Sequence, residues 1–239
     1  TSGATQALNT AIMGMPRRYG RAIATDWDHN STLRPLARLA DEQGVRVDYV
    51  PAGSDGALDY DVLAALLDEP CDFLVCTHAS NVTGMVADVT GISALAHAHG
   101  VPVILDAAQT AGSLPLSMEE LGVDVLCVTG HKALMGPTGT GAILVSPDVA
   151  LAPLVEGGSG MASAERRQPD AWPEHLEAGT LNIQGIAGLE AALDWLAEQG
   201  VDSIAVHEDA LVGRFRAGIG DIPGLTLCGR FDGPHSGIV

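Results

Sequence analysis

A chain of 239 residues, 46% of them hydrophobic, can bury one substantial core and the beginning of another, but not two complete large domains. Its formal charge of −18 argues against nucleic-acid binding, which rests on clustered Lys and Arg neutralising phosphates. No apolar run approaches the roughly 20 residues of a membrane-spanning helix, so composition points to a soluble globule with small-molecule business.

Short β-branched runs alternate with longer helical periodicities, the pattern of an α/β fold with a mostly parallel sheet flanked by helices. In chain order the pattern predicts a helix over Thr5–Met15, a strand over Arg21–Thr25, a helix over Thr32–Gln43 and a strand over Arg46–Val50. A helix over Asp59–Asp68, a strand over Phe73–Thr77 and a helix over Val89–Gly100 follow. Strands are then expected over Pro102–Asp106, Val123–Val128 and Gly141–Val145, and a long helix over Ile183–Glu198. Asp59 can accept from the free N–H groups of its helix, while Gly44 and Gly100 stand where a left-handed stop is wanted. The stretch 156–173 carries Gly and Pro and is expected to be irregular, with a plain linker and an active-site border as open readings. From about Ser203 the pattern changes to a long helix followed by GLTLCGRF. Residues 1–198 are therefore expected to form a large domain, and 199–239 the opening of a small α+β domain. Thr1 in place of an initiator Met and the strand-like SGIV at the other end suggest a piece of a longer protein, with the first part of the large domain missing.

Cys71, Cys76, Cys127 and Cys228 have neither metal-ligand spacing nor the density of a disulfide scaffold, and three of them sit in apolar runs that read as buried strands. No metal is expected, and a reducing cytoplasm is the natural compartment.

In open α/β sheets ligands bind beyond the carboxyl ends of the strands, so polar residues that follow strands carry the chemistry. Here the strand ends deliver His78 and Asn81, then Asp106 and Gln109, then Thr129, His131 and Lys132. Lys132 is the only lysine; the remaining basic positions, of 12 in all, are arginines. A lysine kept after Gly-His at a strand end suggests chemistry that arginine cannot do, because imine formation needs a primary amine able to lose its proton. An anionic Asp106 after VPVIL could keep a pyridine nitrogen protonated, with a helix-capping Asp, a common role in such loops, as the lesser alternative. TSGAT runs into a helical pattern, so Ala4 and Thr5 could offer free N–H groups to a phosphate. There is no G-x-G-x-x-G after the first strand, which leaves a nicotinamide-binding reading without its main support.

TSGATQALN, DHNSTLRPL, HASNVTG, ILDAAQTAG, TGHKALMGPTGTG and EAGTLNIQGIAGLEAAL follow one another in an order and spacing that resemble the class V aminotransferase-fold proteins. They are most similar to the cysteine desulfurase and selenocysteine lyase branch. The resemblance runs over nearly the whole chain, and DAAQ combined with GHK is its most specific part. It implies a fold-type I enzyme dependent on pyridoxal 5′-phosphate (PLP), a homodimer with its site at the subunit boundary.

Position by position, Lys132 resembles the Schiff-base lysine, Asp106 the partner of the pyridine nitrogen and Gln109 that of the ring hydroxyl. His29 resembles the imidazole stacked on the ring, and Asn81 the asparagine that meets the cofactor and the substrate carboxylate. Ala4, Thr5, Thr129 and His131 match the phosphate cradle, with Thr129 where relatives often carry Ser. Thr180 resembles the phosphate contact given by the neighbouring subunit. A titratable His29, where related transaminases tend to carry an aromatic ring, favours desulfuration. The implied reaction takes L-cysteine to L-alanine and passes sulfur to an enzyme thiolate as persulfide, and onward to an acceptor protein. That thiol and the arginine that binds the substrate carboxylate are expected beyond Val239, since none of the four cysteines matches the motif. Cys228 is expected to pack in a small-domain strand. A class V aminotransferase, another PLP lyase such as a selenocysteine lyase, and a catalytically silent PLP-fold fragment stay open beside this reading. His78 is left between a supporting polar group and a mere strand-end residue.

Overall fold

The computed structural model describes residues 1–161, 164–220 and 222–239. Six strands form one sheet: β1 (Arg21–Thr25), β2 (Arg46–Val50), β3 (Phe73–Thr77), β4 (Val103–Asp106), β5 (Val125–Thr129) and β6 (Gly141–Val145), in the order β2-β1-β3-β4-β5-β6. The first five are parallel and β6 runs antiparallel to β5. A parallel return needs a crossover of a dozen or more residues, usually with a helix, and the helix-free segment 130–140 brings β6 back the other way.

Strands β1, β3, β4 and β5 are buried along their whole length, as parallel strands covered on both faces must be. Alternate side chains feed two cores. Ile23, Leu74, Val103 and Leu105 pack with α3 (Tyr60–Leu67) and α4 (Val89–Ala98), whereas Ala22, Phe73, Val75 and Ile104 pack with α1 (Ala4–Gly14) and α2 (Asn30–Gln43). Asp59 caps α3 through hydrogen bonds from the Asp61 and Val62 amides, and Gly44 ends α2 in the left-handed region, both as expected.

Element ends shift by one or two residues, as where β5 covers Val125–Thr129 instead of Val123–Val128, and three further features differ from the sequence reading. A one-turn helix α5 (Met118–Leu121) precedes β5; it is too short to show periodicity, but Ser117, which caps it by accepting from the Glu120 amide through Oγ, starts a Ser-x-x-Glu signature. Pro102 falls outside β4, having no N–H to give a ladder. GLTLCGRF and SGIV form no strand, because no described strand lies alongside to pair with them, and Cys228 is exposed rather than packed. After α6 (Ile183–Gln199) and α7 (Val201–Ile219) the chain instead returns over the turn that bears Asn81. There the Ser236 amide donates to Gly84 O at 2.8 Å, and His235 Nε2 lies 2.7 Å from Thr83 O. No helix among the described residues is long and apolar enough to cross a membrane.

Candidate active site

Because β1, β3, β4 and β5 are parallel, the residues that follow them emerge on one rim, and the N-terminus of α1 meets them there. They enclose a cavity of about 320 Å³. Ala4, Thr5, His29, Asn81, Asp106, Gln109, Thr129, His131 and Lys132 all line it. Thr180, expected to serve a neighbouring subunit, lies outside it and is exposed in the turn before α6.

Asp106 closes β4 and is 4% exposed. Its Oδ1 accepts from the Ala108 amide at 2.9 Å, and its carbonyl accepts from the His78 amide at 2.9 Å. Burial pushes this carboxyl's pKa up, while the Ala108 hydrogen bond and the charges of Lys132 and His29 pull it back down. A cationic ring nitrogen inside the cavity would complete that compensation.

Lys132 sits on the turn after β5, where the Met135 amide donates to Lys132 O at 2.8 Å. The turn rests on the DAAQTAG segment. Gly112 has φ 95°, and a Cβ there would meet Ala133 O at 2.3 Å, so only glycine lets the two backbones approach this closely. Thr129 is buried, with Oγ1 3.0 Å from His131 Nδ1. Gly3, at φ 147°, brings the start of α1 up to it, leaving an added Cβ only 3.2 Å from Thr129 Oγ1. In the first turn of α1 the Ala4, Thr5 and Gln6 amides precede the first intrahelical hydrogen bond, from the Ala7 amide to Gly3 O at 3.1 Å. They form an anion-binding end.

His29 is the N-cap of α2: its Nδ1 accepts from the Ser31 amide at 3.1 Å. Ser31 Oγ lies 2.9 Å from the same Nδ1 and 2.8 Å from Thr5 Oγ1, joining the imidazole to α1. Asn81 projects from a turn in which Ser80 Oγ accepts from the Val82 and Thr83 amides, each at 3.2 Å. Gln109 O accepts from Ser113 Oγ at 3.1 Å. His78 does not line the cavity. It is buried beneath it, its Nδ1 2.9 Å from Thr110 Oγ1, and burial lowers its imidazole pKa to about 4, so it stays neutral as a support for the loop that carries Gln109.

Sequence reasoning passed over Ser31 and Thr77, which line the cavity, and Asp28, buried beside it. A Ser two residues after a histidine that starts a helix is a capping pattern, and it could have flagged Ser31. Asp28 gave no such signal, since its burial follows only from the fold.

A rim of helix N–H groups and hydroxyls, one primary amine and one buried carboxyl make a donor set that fits PLP: an anionic phosphate, an aldehyde and a basic ring nitrogen. The profile of the family described as Aminotransferase class-V matches residues 1–239. A probable cysteine desulfurase of Methanothermobacter thermautotrophicus is 33% identical over 234 residues, 96% of this chain and 58% of that protein. A cysteine desulfurase of Escherichia coli O157:H7 is 33% identical over 236 residues, 95% of this chain and 58% of its own length. The apo structure of a cysteine desulfurase from Thermococcus onnurineus superposes with a TM-score of 0.92 at 27% identity, over 99% of this chain and 61% of that one. The chain thus spans about 58% of the length of these curated relatives. Fold, cavity and sequence agree, and the chain belongs to the class V aminotransferase family, with cysteine desulfurases among its relatives.

Proposed function

We propose that this chain is the PLP-binding core of a cysteine desulfurase, which converts L-cysteine to L-alanine and passes the sulfur to a protein thiol. One observation carries the reading: the only lysine and a buried carboxyl share a cavity with the N-terminus of α1. The first-turn amides of α1, with Thr5, Thr129 and His131, hold the phosphate. Asp106 would keep a proton on the ring nitrogen of PLP held there, and Gln109 would donate to the ring oxygen. Bound PLP withdraws electrons from the substrate α-carbon. Lys132 Nζ moves the proton at that carbon, and His29, which lines the same cavity, exchanges protons with substrate groups. Asn81 orients the substrate carboxylate.

The sulfur-accepting thiol is proposed to come from outside these residues. Burial pushes the Cys71 thiol up to about 11 and those of Cys76 and Cys127 well above the ordinary range, so all three are poor nucleophiles. Cys228 is exposed but away from the cavity. Residues 199–239 are proposed to open a second domain, Thr180 to serve a partner subunit of a homodimer, and the protein to work in the reducing cytoplasm. The free state of all four cysteines suits that compartment. Incubating the PLP-loaded full-length protein, rather than these residues alone, with L-cysteine and a thiol reductant is the test: equal alanine and sulfide support the reading. Mercaptopyruvate formed only when a keto-acid acceptor is supplied would make it an aminotransferase, pyruvate released with ammonia a lyase, and bound PLP without turnover a binding fragment.

A further inference from the structure

We propose that Ser31 is a positioning residue that transmits phosphate occupancy at Thr5 to the His29 imidazole. The idea rests on the phosphate cradle proposed above and adds a residue that the cradle itself does not require.

The observation is a chain of three side-chain atoms: Thr5 Oγ1, Ser31 Oγ and His29 Nδ1, separated by 2.8 and 2.9 Å. Nδ1 also accepts the Ser31 amide at 3.1 Å, so in this state it carries no proton and the ring N–H is on Nε2. A bare nitrogen at one end fixes the direction of the chain. The Ser31 hydroxyl donates to Nδ1, and the Thr5 hydroxyl donates to Ser31, each having one proton to give.

A phosphate beside Thr5 is an acceptor, and the Thr5 hydroxyl turns to donate its hydrogen bond to it. Thr5 Oγ1 then has only lone pairs to offer Ser31, whose hydroxyl turns to donate to Thr5. Ser31 Oγ now presents a lone pair to Nδ1, and the favoured imidazole is the one with a proton there, exchanged through solvent. No covalent bond to carbon or phosphorus changes; two hydroxyls rotate and one ring proton is redistributed. The Ser31 amide loses its acceptor in the same move, which keeps the reversed arrangement rare until an anion arrives. His29 Nε2 thereby becomes a proton acceptor when the cradle is filled. The only ionisable group in this chain of contacts is His29 itself; Asp106 and Lys132 face the same cavity from β4 and the turn after β5.

The test is a titration of the full chain, labelled with ¹⁵N, with inorganic phosphate at constant pH and ionic strength, following the Ala4 and Thr5 amides and the His29 ring nitrogens. The expected result is a saturable amide shift with a parallel upfield move of Nδ1 toward the protonated range. In Ser31→Ala the amide shift remains and the Nδ1 move disappears; Ser31→Thr, which keeps a hydroxyl, restores it. An Nδ1 move that survives in Ser31→Ala would show a through-space effect of the anion and overturn the relay, as would amides that shift while wild-type Nδ1 stays still. Amides that do not respond would remove the cradle, and the relay with it.

Discussion

Asp28 Oδ2 accepts both the Thr25 amide at 2.7 Å and the Thr25 hydroxyl at 2.9 Å, while Oδ1 of the same buried carboxyl meets no partner. Burial is the main reason its pKa rises to about 8; the Thr25 hydrogen bonds oppose the rise, and the nearby Asp106 charge adds to it. One buried carboxyl, Asp106, thus lines the site and a second, Asp28, lies beside it, where its neutral form adds no further negative charge.

The sign of the pH effect follows from the raised value. The folded protein keeps the Asp28 proton where the unfolded chain has lost it, so the stabilisation is complete below the ordinary carboxyl range and declines as pH climbs toward about 8. Asn fits the same pocket without titrating. Thermal unfolding of Asp28→Asn between pH 5 and 9 is expected to show a flatter profile than wild type, at about 2–4 °C per kcal/mol for a chain of this size. Parallel profiles would contradict the assignment.

Asp106→Asn retains the Ala108 hydrogen bond and the buried shape but not the charge. It is expected to fold normally, since wild-type burial already disfavours the ionised form, yet to weaken PLP retention. Turnover should fall by roughly 10²–10³-fold, the usual effect of deleting one preorganised electrostatic partner. Circular dichroism and cofactor absorbance on one sample separate the two outcomes.

Gly112→Ala places a methyl against the backbone of Ala133, next to Lys132, at a φ that alanine resists. A loss of about 1–3 kcal/mol is expected from the backbone strain alone, together with poorer PLP capture as the 132–135 turn shifts. Gly213→Ala on α7 is the contrast. It meets nothing within 4 Å and should stabilise by up to ~1 kcal/mol, as helix propensity dictates. Denaturant unfolding of the two variants checks both signs.

The parallel strands were legible because their burial on both faces leaves near-continuous apolar runs, as in Phe73–Thr77, and because polar residues follow them at the rim. That rule places Asp106, Asn81 and Lys132 on one rim from the sequence alone, and all three line the cavity. The Ser31–Thr5 contact was not legible, since it joins two helix starts 26 residues apart whose approach depends on how α1 packs on α2. The tail was misread for a related reason: β-rich composition in GLTLCGRF names a strand, but a strand also needs an edge to pair with, and that is a property of the fold.

The central claim is tested most directly by adding PLP to the purified chain, reducing with borohydride and mapping the modified peptide. Lys132 is the only lysine, so the modified peptide identifies it without ambiguity. The account predicts one phosphopyridoxyl group per chain, on Lys132, lost in Lys132→Ala. Modification only at other peptides, or none at all in a folded protein, would contradict it.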